Sequence, residues 1–81
     1  MDHEEIKKRV TDVVAMVLRI DKDKIGEESR FVEDLGAESI QAVELMAAFE
    51  EEFDIELDED RSQDCKSIAM AIDYIKEAVN S

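Results

Sequence analysis

The sequence predicts an all-α protein, a small up-down helical bundle of three main helices plus a short fourth, with a long first loop. Three observations carry this expectation. Three segments repeat apolar residues at spacings of three and four, the period of a helix with one buried face. The 81 residues hold no Pro and are 44% apolar, with only one Tyr and three Phe, so they can build one small, mostly aliphatic core. A non-periodic stretch between the first two segments carries enough apolar anchors to lie across the bundle. One domain, residues 1–81, is expected.

In the first helix Ile6, Val10, Val13, Val14 and Val17 form the stripe. Asp2, with Glu5 three residues later, suits a capping pair at its start. The β-branched content lowers intrinsic helix propensity, so this helix depends on packing. Residues 20–38 follow as a loop. Structureless connections of that length are uncommon unless functional or pinned, and Ile20, Ile25, Phe31, Val32 and Leu35 are the expected anchors. The second helix covers residues 39–53, with Ala42, Leu45, Met46, Phe49 and Phe53 facing the core. Ser39 is a favoured N-cap type, but Ala42 three positions on completes no capping box. Residues 54–66 form a second irregular link with one short helical turn near 58–62. The last helix covers residues 67–79, capped by Ser67, with Ile68, Ala71, Ile72, Ile75 and Val79 in register.

The formal net charge is −13, from ten Lys and Arg against 23 Asp and Glu. Nucleic-acid binding depends on Lys and Arg that release phosphate counterions, so this balance excludes it as a main role. It argues equally against anionic membranes and favours partners with basic patches, met by electrostatic steering. The charge is also uneven. Residues 31–60 contain twelve acids and no cation, which reads either as a solvated face or as a docking surface. No apolar run approaches the roughly 20 residues that span a bilayer. The acidic first residues lack the build of a signal peptide. With a single Cys and no disulfide framework, a cytoplasmic monomer is the expectation.

The second helix has more apolar residues than one stripe needs. Ile40, Val43 and Ala47 lie on another face, flanked by Glu44, Glu50 and Glu51, as small apolar contacts within a charged rim lie in partner-binding surfaces. The competing reading packs these three against the loop. Ser39, directly after the turn Asp34-Leu35-Gly36-Ala37-Glu38, reads either as a cap or as a nucleophilic hydroxyl at a helix N-terminus. Backbone N–H groups and the positive end of the helix dipole there suit a covalently attached phosphate.

Two other chemistries are weaker. Asp21-Lys22-Asp23-Lys24-Ile25-Gly26 begins like a calcium-binding loop, but Ile25 and Val32 fall where oxygen ligands belong. A catalytic Cys–His pair would need His3, near a terminus expected to fray, and Cys65, which reads as a small buried apolar residue. No metal site and no catalytic residue is assigned.

The run Phe31-Val32-Glu33-Asp34-Leu35-Gly36-Ala37-Glu38-Ser39-Ile40, continuing through Val43-Glu44-Leu45 and Glu50-Glu51-Glu52-Phe53, closely resembles the signature of bacterial acyl carrier proteins. The likeness extends to Ala71-Ile72-Asp73-Tyr74-Ile75 and covers nearly the whole chain. It implies a free-standing, non-enzymatic carrier for fatty acid, polyketide or related biosynthesis. Ser39 would be modified by a phosphopantetheinyl transferase and hold 4'-phosphopantetheine from coenzyme A. Glu38, Ile40, Val43, Glu44, Ala47, Glu50 and Glu51 would meet the transferase and the acyl-transferring synthase enzymes. Leu45, Phe49, Leu57, Cys65 and Ile68 would line a pocket for the acyl chain. Glu38 and Ile40 stand where Asp and Leu are usual, Asp58 replaces a frequent Pro, and Cys65 an aliphatic residue. These departures leave housekeeping and specialised carriers both open. A peptidyl carrier usually has Gly and His before its Ser, where this chain has Ala37 and Glu38. An acidic interaction module with Ser39 unmodified is the remaining alternative.

Overall fold

Residues 2–80 are described by a computed structural model. In chain order come α1 (His3–Leu18), a 3-10 turn (Lys22–Lys24), α2 (Ser39–Phe53), α3 (Glu59–Gln63) and α4 (Ile68–Val79). No strand forms among the described residues. α1 packs against both α2 and α4, which touch each other more sparingly. The all-α bundle expected from the apolar periodicity is therefore the architecture observed.

Each expected stripe turns inward. Ile6, Val10, Val13 and Val14 of α1, Leu45, Phe49 and Phe53 of α2, and Ile68, Ala71, Ile72 and Ile75 of α4 are buried together in one cluster. Val17, Met46 and Val79 pack half-buried around it. Fully burying one such aliphatic or Phe side chain contributes about 1.5–3 kcal/mol, so a handful of them outweighs any single surface interaction here.

The helix starts follow local chemistry. Asp2 Oδ1 accepts the Glu5 backbone N–H at 2.9 Å. Ser67 Oγ accepts that of Met70 at 3.3 Å, and Asp58 Oδ1 that of Asp60 at 2.8 Å. The helix ends do not use Gly. α1 and α2 close on Arg19 and Asp54 in the left-handed region, with φ of 58° and 53°. The N–H groups of Ile20 and Ile55 then reach back to the carbonyls of Ala15 and Glu50, both at 3.1 Å.

Residues 19–38 are pinned rather than loose. Phe31 N–H donates to Lys66 C=O, and the first two amides of α4, Ile68 and Ala69, donate to the carbonyls of Ser29 and Glu27 at 3.0 and 2.8 Å. His3 Nε2 lies 2.8 Å from Glu27 Oε1. That hydrogen bond, with Lys7 nearby, holds the Glu27 carboxyl below the usual carboxylate range. His3 is thus the first residue of α1 and a tie to the loop, not a fraying end. Phe31 is buried as expected, and Ile25 and Leu35 are half-buried. Val32 differs: it is 58% exposed, because Phe31 takes the interior side of the turn that begins at Arg30. The calcium-like stretch forms the 3-10 turn, and Lys22 Nζ pairs with Asp12 at 2.7 Å.

Candidate functional site

The turn that leads into α2 is built from its own backbone. Asp34 and Leu35 donate N–H bonds to Arg30 C=O, and Ala37 donates to Phe31 C=O at 2.8 Å. Asp34 Oδ2 in turn accepts the Arg30 N–H at 2.9 Å. Gly36 has φ of 70°, a left-handed conformation that a side chain disfavours. Nothing lies within 4 Å of where its Cβ would be. The conformation, not crowding, is what calls for Gly. The buried side chains of Phe31 and Ala37 anchor both sides of this turn.

α2 begins one residue earlier than a Ser39 cap would place it. Glu38 is the N-cap, and its backbone N–H is taken by Gln41 Oε1 at 2.9 Å. This is the bond that the third helical residue supplies in a capping box. Ser39 is therefore the first helical residue and not the cap, which corrects the capping reading and explains why Ala42 completes no box. Among the described residues, the backbone N–H groups of Ser39 and Ile40 meet no protein acceptor.

The hydroxyl of Ser39 is exposed and makes no hydrogen bond to the protein. The other described hydroxyls are all engaged. Ser29 Oγ accepts from Gly26 N–H, Ser67 Oγ from Met70 N–H, and Tyr74 bonds to Asp58. Ser62 Oγ donates to Asp58 C=O, and Thr11 to Lys7 C=O. Sequence reading ranks Ser39 by its place in the turn; the spent hydroxyls elsewhere appear only in the structure.

Beyond Ser39, one face of α2 stays bare. Ile40 and Val43 are 67% and 69% exposed, and Glu38, Glu44, Ala47 and Glu51 are exposed as well. Ile40, Glu44, Ala47 and Glu51, spaced by four, three and four, run down the side opposite Phe49. The apolar members do not pack against the loop. Glu50 stands apart from this rim: it is half-buried, and its Oε2 accepts the Leu57 N–H at 3.0 Å, fixing the link after α2. Val32, in the loop leading to Ser39, adds an exposed apolar side chain that the loop reading had assigned to the core.

The five residues of the expected acyl pocket fall into two groups. Leu45, Phe49 and Ile68 are fully buried, while Leu57 and Cys65 pack half-buried on the same core. Cys65 also lines an open cleft of about 280 Å³ with Arg61, Asp64, Met70, Asp73, Tyr74 and Glu77. Burial pushes its thiol up to about 11. It is half-buried, not buried as its apolar character suggests. His3 is engaged with Glu27, and Cys65 faces the cleft beside α4. Among the described residues, no three carboxylate, thiol or imidazole groups gather closely enough to share a metal ion.

Comparison with known protein families matches residues 8–75 to a family described as the phosphopantetheine attachment site. The matched span runs from the first turns of α1 to the middle of α4 and contains the whole of α2.

The assignment of Glu38 as cap orders the stabilities of two variants. Gln41→Ala should lower the unfolding free energy by about 0.5–1 kcal/mol through the lost capping bond. Ser39→Ala should stay within about 0.5 kcal/mol of the parent, as an exposed non-cap position does. Urea denaturation of both measures the order, and a larger loss for Ser39→Ala would return the cap to Ser39.

Proposed function

Since the chain belongs to the phosphopantetheine attachment family, we propose that it is an acyl carrier protein whose 4'-phosphopantetheine arm is attached at Ser39. The arm supplies a terminal thiol that holds acyl groups as thioesters. The single observation that supports Ser39 most strongly is that its hydroxyl alone, among the described hydroxyls, is both exposed and unspent.

The chain's own residues fit such a group. The exposed Ser39 Oγ would hold the arm through one P–O bond to the pantetheine phosphate of coenzyme A, the hydroxyl proton and adenosine bisphosphate being released. The open N–H groups of Ser39 and Ile40 lie at the positive end of α2. The nearby Glu38 and Glu44 would oppose a bound phosphate, which would keep the arm in water. The work of the protein is presentation, and the chemistry belongs to its partners. No helix among the described residues is long and apolar enough to cross a membrane. A single carrier domain, acting as a cytoplasmic monomer, is the setting we infer.

Ile40, Val43 and Ala47, rimmed by Glu38, Glu44 and Glu51, form the docking face in this reading; Glu50, spent on the Leu57 N–H, is left out of it. Acidic rims give fast encounter with basic partners without very tight binding. The five apolar pocket residues would have to part to admit an acyl chain, since three of them are fully buried. Glu38 and Ile40 favour a specialised carrier over a housekeeping one. Ile is stiff at χ1, and Glu sets its carboxylate a methylene farther out than Asp.

The intact mass after incubation with a broad-specificity phosphopantetheinyl transferase and coenzyme A tests the central point. The parent should gain one phosphopantetheine and Ser39→Ala none. An unmodified parent would leave a plain acidic interaction module, and a modified Ala variant would move the site.

Glu44→Lys should slow that modification mainly through association and weaken its salt dependence, while Asp73→Lys on α4 should do much less. Equal effects would remove the case for a defined face on α2.

For specialisation, the Glu38→Asp, Ile40→Leu double variant should become a better substrate of generic malonyl transferase and ketosynthase enzymes by roughly tenfold or more. A parent already as good as a housekeeping carrier would overturn the specialised reading.

A further inference from the structure

The negative charge of this chain belongs to one stretch of it. Residues 31–60 hold twelve acids and no cation, residues 1–30 eight acids and seven Lys or Arg, and residues 61–81 three of each. Nearly all of the net charge of −13 therefore comes from α2 and the segments beside it. On α1, Arg9 is the cation that turns toward α2, 3.7 Å from Glu52 and 6.0 Å from the centre of the Phe53 ring. The lysines face elsewhere. Glu4, Lys7, Lys8 and Thr11 recur at helical spacing on another side of α1, and with Asp12 and Lys22 they line an open cleft of about 240 Å³. Two residues turn a helix by about 200°, so Lys8 stands nearly opposite the buried Val10. Lys7 lies 3.8 Å from Glu27, and Lys22 2.7 Å from Asp12. Lys8 and Lys24 are exposed. On the α4 side Arg61 pairs with Glu77 at 2.8 Å, its guanidinium 4.3 Å from the centre of the Tyr74 ring.

Screening makes this distribution matter more than the total. Charges in water act over about 8 Å at physiological ionic strength, and the molecule measures 31 × 26 × 19 Å. A partner that meets one side responds to the charges of that side. The bare side of α2 shows Glu44 and Glu51 around Ile40 and receives no cation. The outer side of α1 shows lysines among acids in near balance. A bundle negative all round would hold a basic surface on any side, and most such encounters would leave Ser39 out of reach.

We propose that Lys8 and Lys24, with the paired Lys7 and Lys22, determine orientation: they keep the outer side of α1 near neutral, so that a basic partner is held at the Ser39 side and not at the back of the bundle. The identity of that partner, a phosphopantetheinyl transferase, rests on the carrier reading. The one-sided field rests on the charges alone.

The Lys8→Glu, Lys24→Glu double variant tests the proposal, because each reversal sits at an exposed position and makes the chain more negative. Its modification by the transferase with coenzyme A is compared with the parent's at low ionic strength. Carrier molecules held back to front occupy the enzyme without reacting, which lowers kcat and KM together and leaves kcat/KM unchanged. Two new exposed ion pairs with the enzyme should give a parallel fall of about threefold to tenfold, relieved at high salt. The milder Lys8→Gln, Lys24→Gln variant should move the same way by less. A rise in kcat/KM at constant kcat would overturn the proposal, since total charge would then do the steering, and so would unchanged kinetics. A second readout needs no partner: the relaxation of backbone amides by a cationic nitroxide, relative to its uncharged analogue. In the parent it should be stronger at Glu44, Ala47 and Glu51 than at Lys8, Thr11 and Asp12, and the Glu variant should raise it at the latter three. Equal relaxation on the two helices of the parent would overturn the proposal. One-sided relaxation in a parent that accepts no phosphopantetheine would support the field and overturn the carrier reading alone.

Discussion

The carbonyls of Glu27 and Ser29 take the first two amides of α4, and the Ser67 hydroxyl takes the third. The N-terminus of α4 is thereby closed. A helix leaves its first backbone N–H groups without internal partners, and here the long loop is what satisfies them. The same contact holds Phe31 in the core through Lys66, and Phe31 fixes where the following turn and α2 begin. The N-terminus of α2 is left in the opposite condition, with the amides of Ser39 and Ile40 facing water. One helix end is spent on architecture so that the other can be positioned and kept open.

The cations follow the same division. Lys7 pairs with Glu27, Lys22 with Asp12, Arg9 with Glu5 and Glu52, and Arg61 with Glu77. Within the acidic run of residues 31–60, Glu52 is the only carboxylate in an ion pair among the described residues. It sits on the side of α2 that borders α1, where Arg9 reaches it at 3.7 Å. The face bearing Ile40, Glu44 and Glu51 receives no cation. Self-repulsion of that kind costs stability, and a solvated position limits the cost through screening. On the carrier reading proposed above, an unneutralised rim around small apolar contacts would suit a surface that several enzymes recognise and then leave.

Much of this was legible in the residues. The stripe ending at Phe49 and Phe53 set the far bound of α2, and Ser67 marked the start of α4, because side-chain period and short polar caps are local signals. The rest was hidden for physical reasons. Glu38 is not a common cap, so its partnership with Gln41 gave no recognisable start. Arg19 and Asp54 end helices in a conformation usually left to Gly or Asn. Val32 and Phe31 are both apolar neighbours in a turn, and only the fold decides which one is buried. Glu50 looked like another rim carboxylate until its bond to Leu57 appeared. Arg61, Tyr74 and Glu77 meet across 13 to 16 positions of sequence, where no periodicity connects them.

The half-burial of Cys65 would have a chemical consequence on the reading that this protein carries thioesters. A thioester is open to attack by any nearby thiolate, and a carrier with a reactive cysteine of its own would steal its cargo. With the thiol pushed up to about 11 by burial, Cys65 stays protonated at neutral pH and the nucleophilic thiolate is scarce. The burial that weakens this residue as a nucleophile therefore protects the bond on which a carrier depends. On the carrier reading it would set apart two thiols, the one the arm supplies and that of Cys65, by their readiness to react.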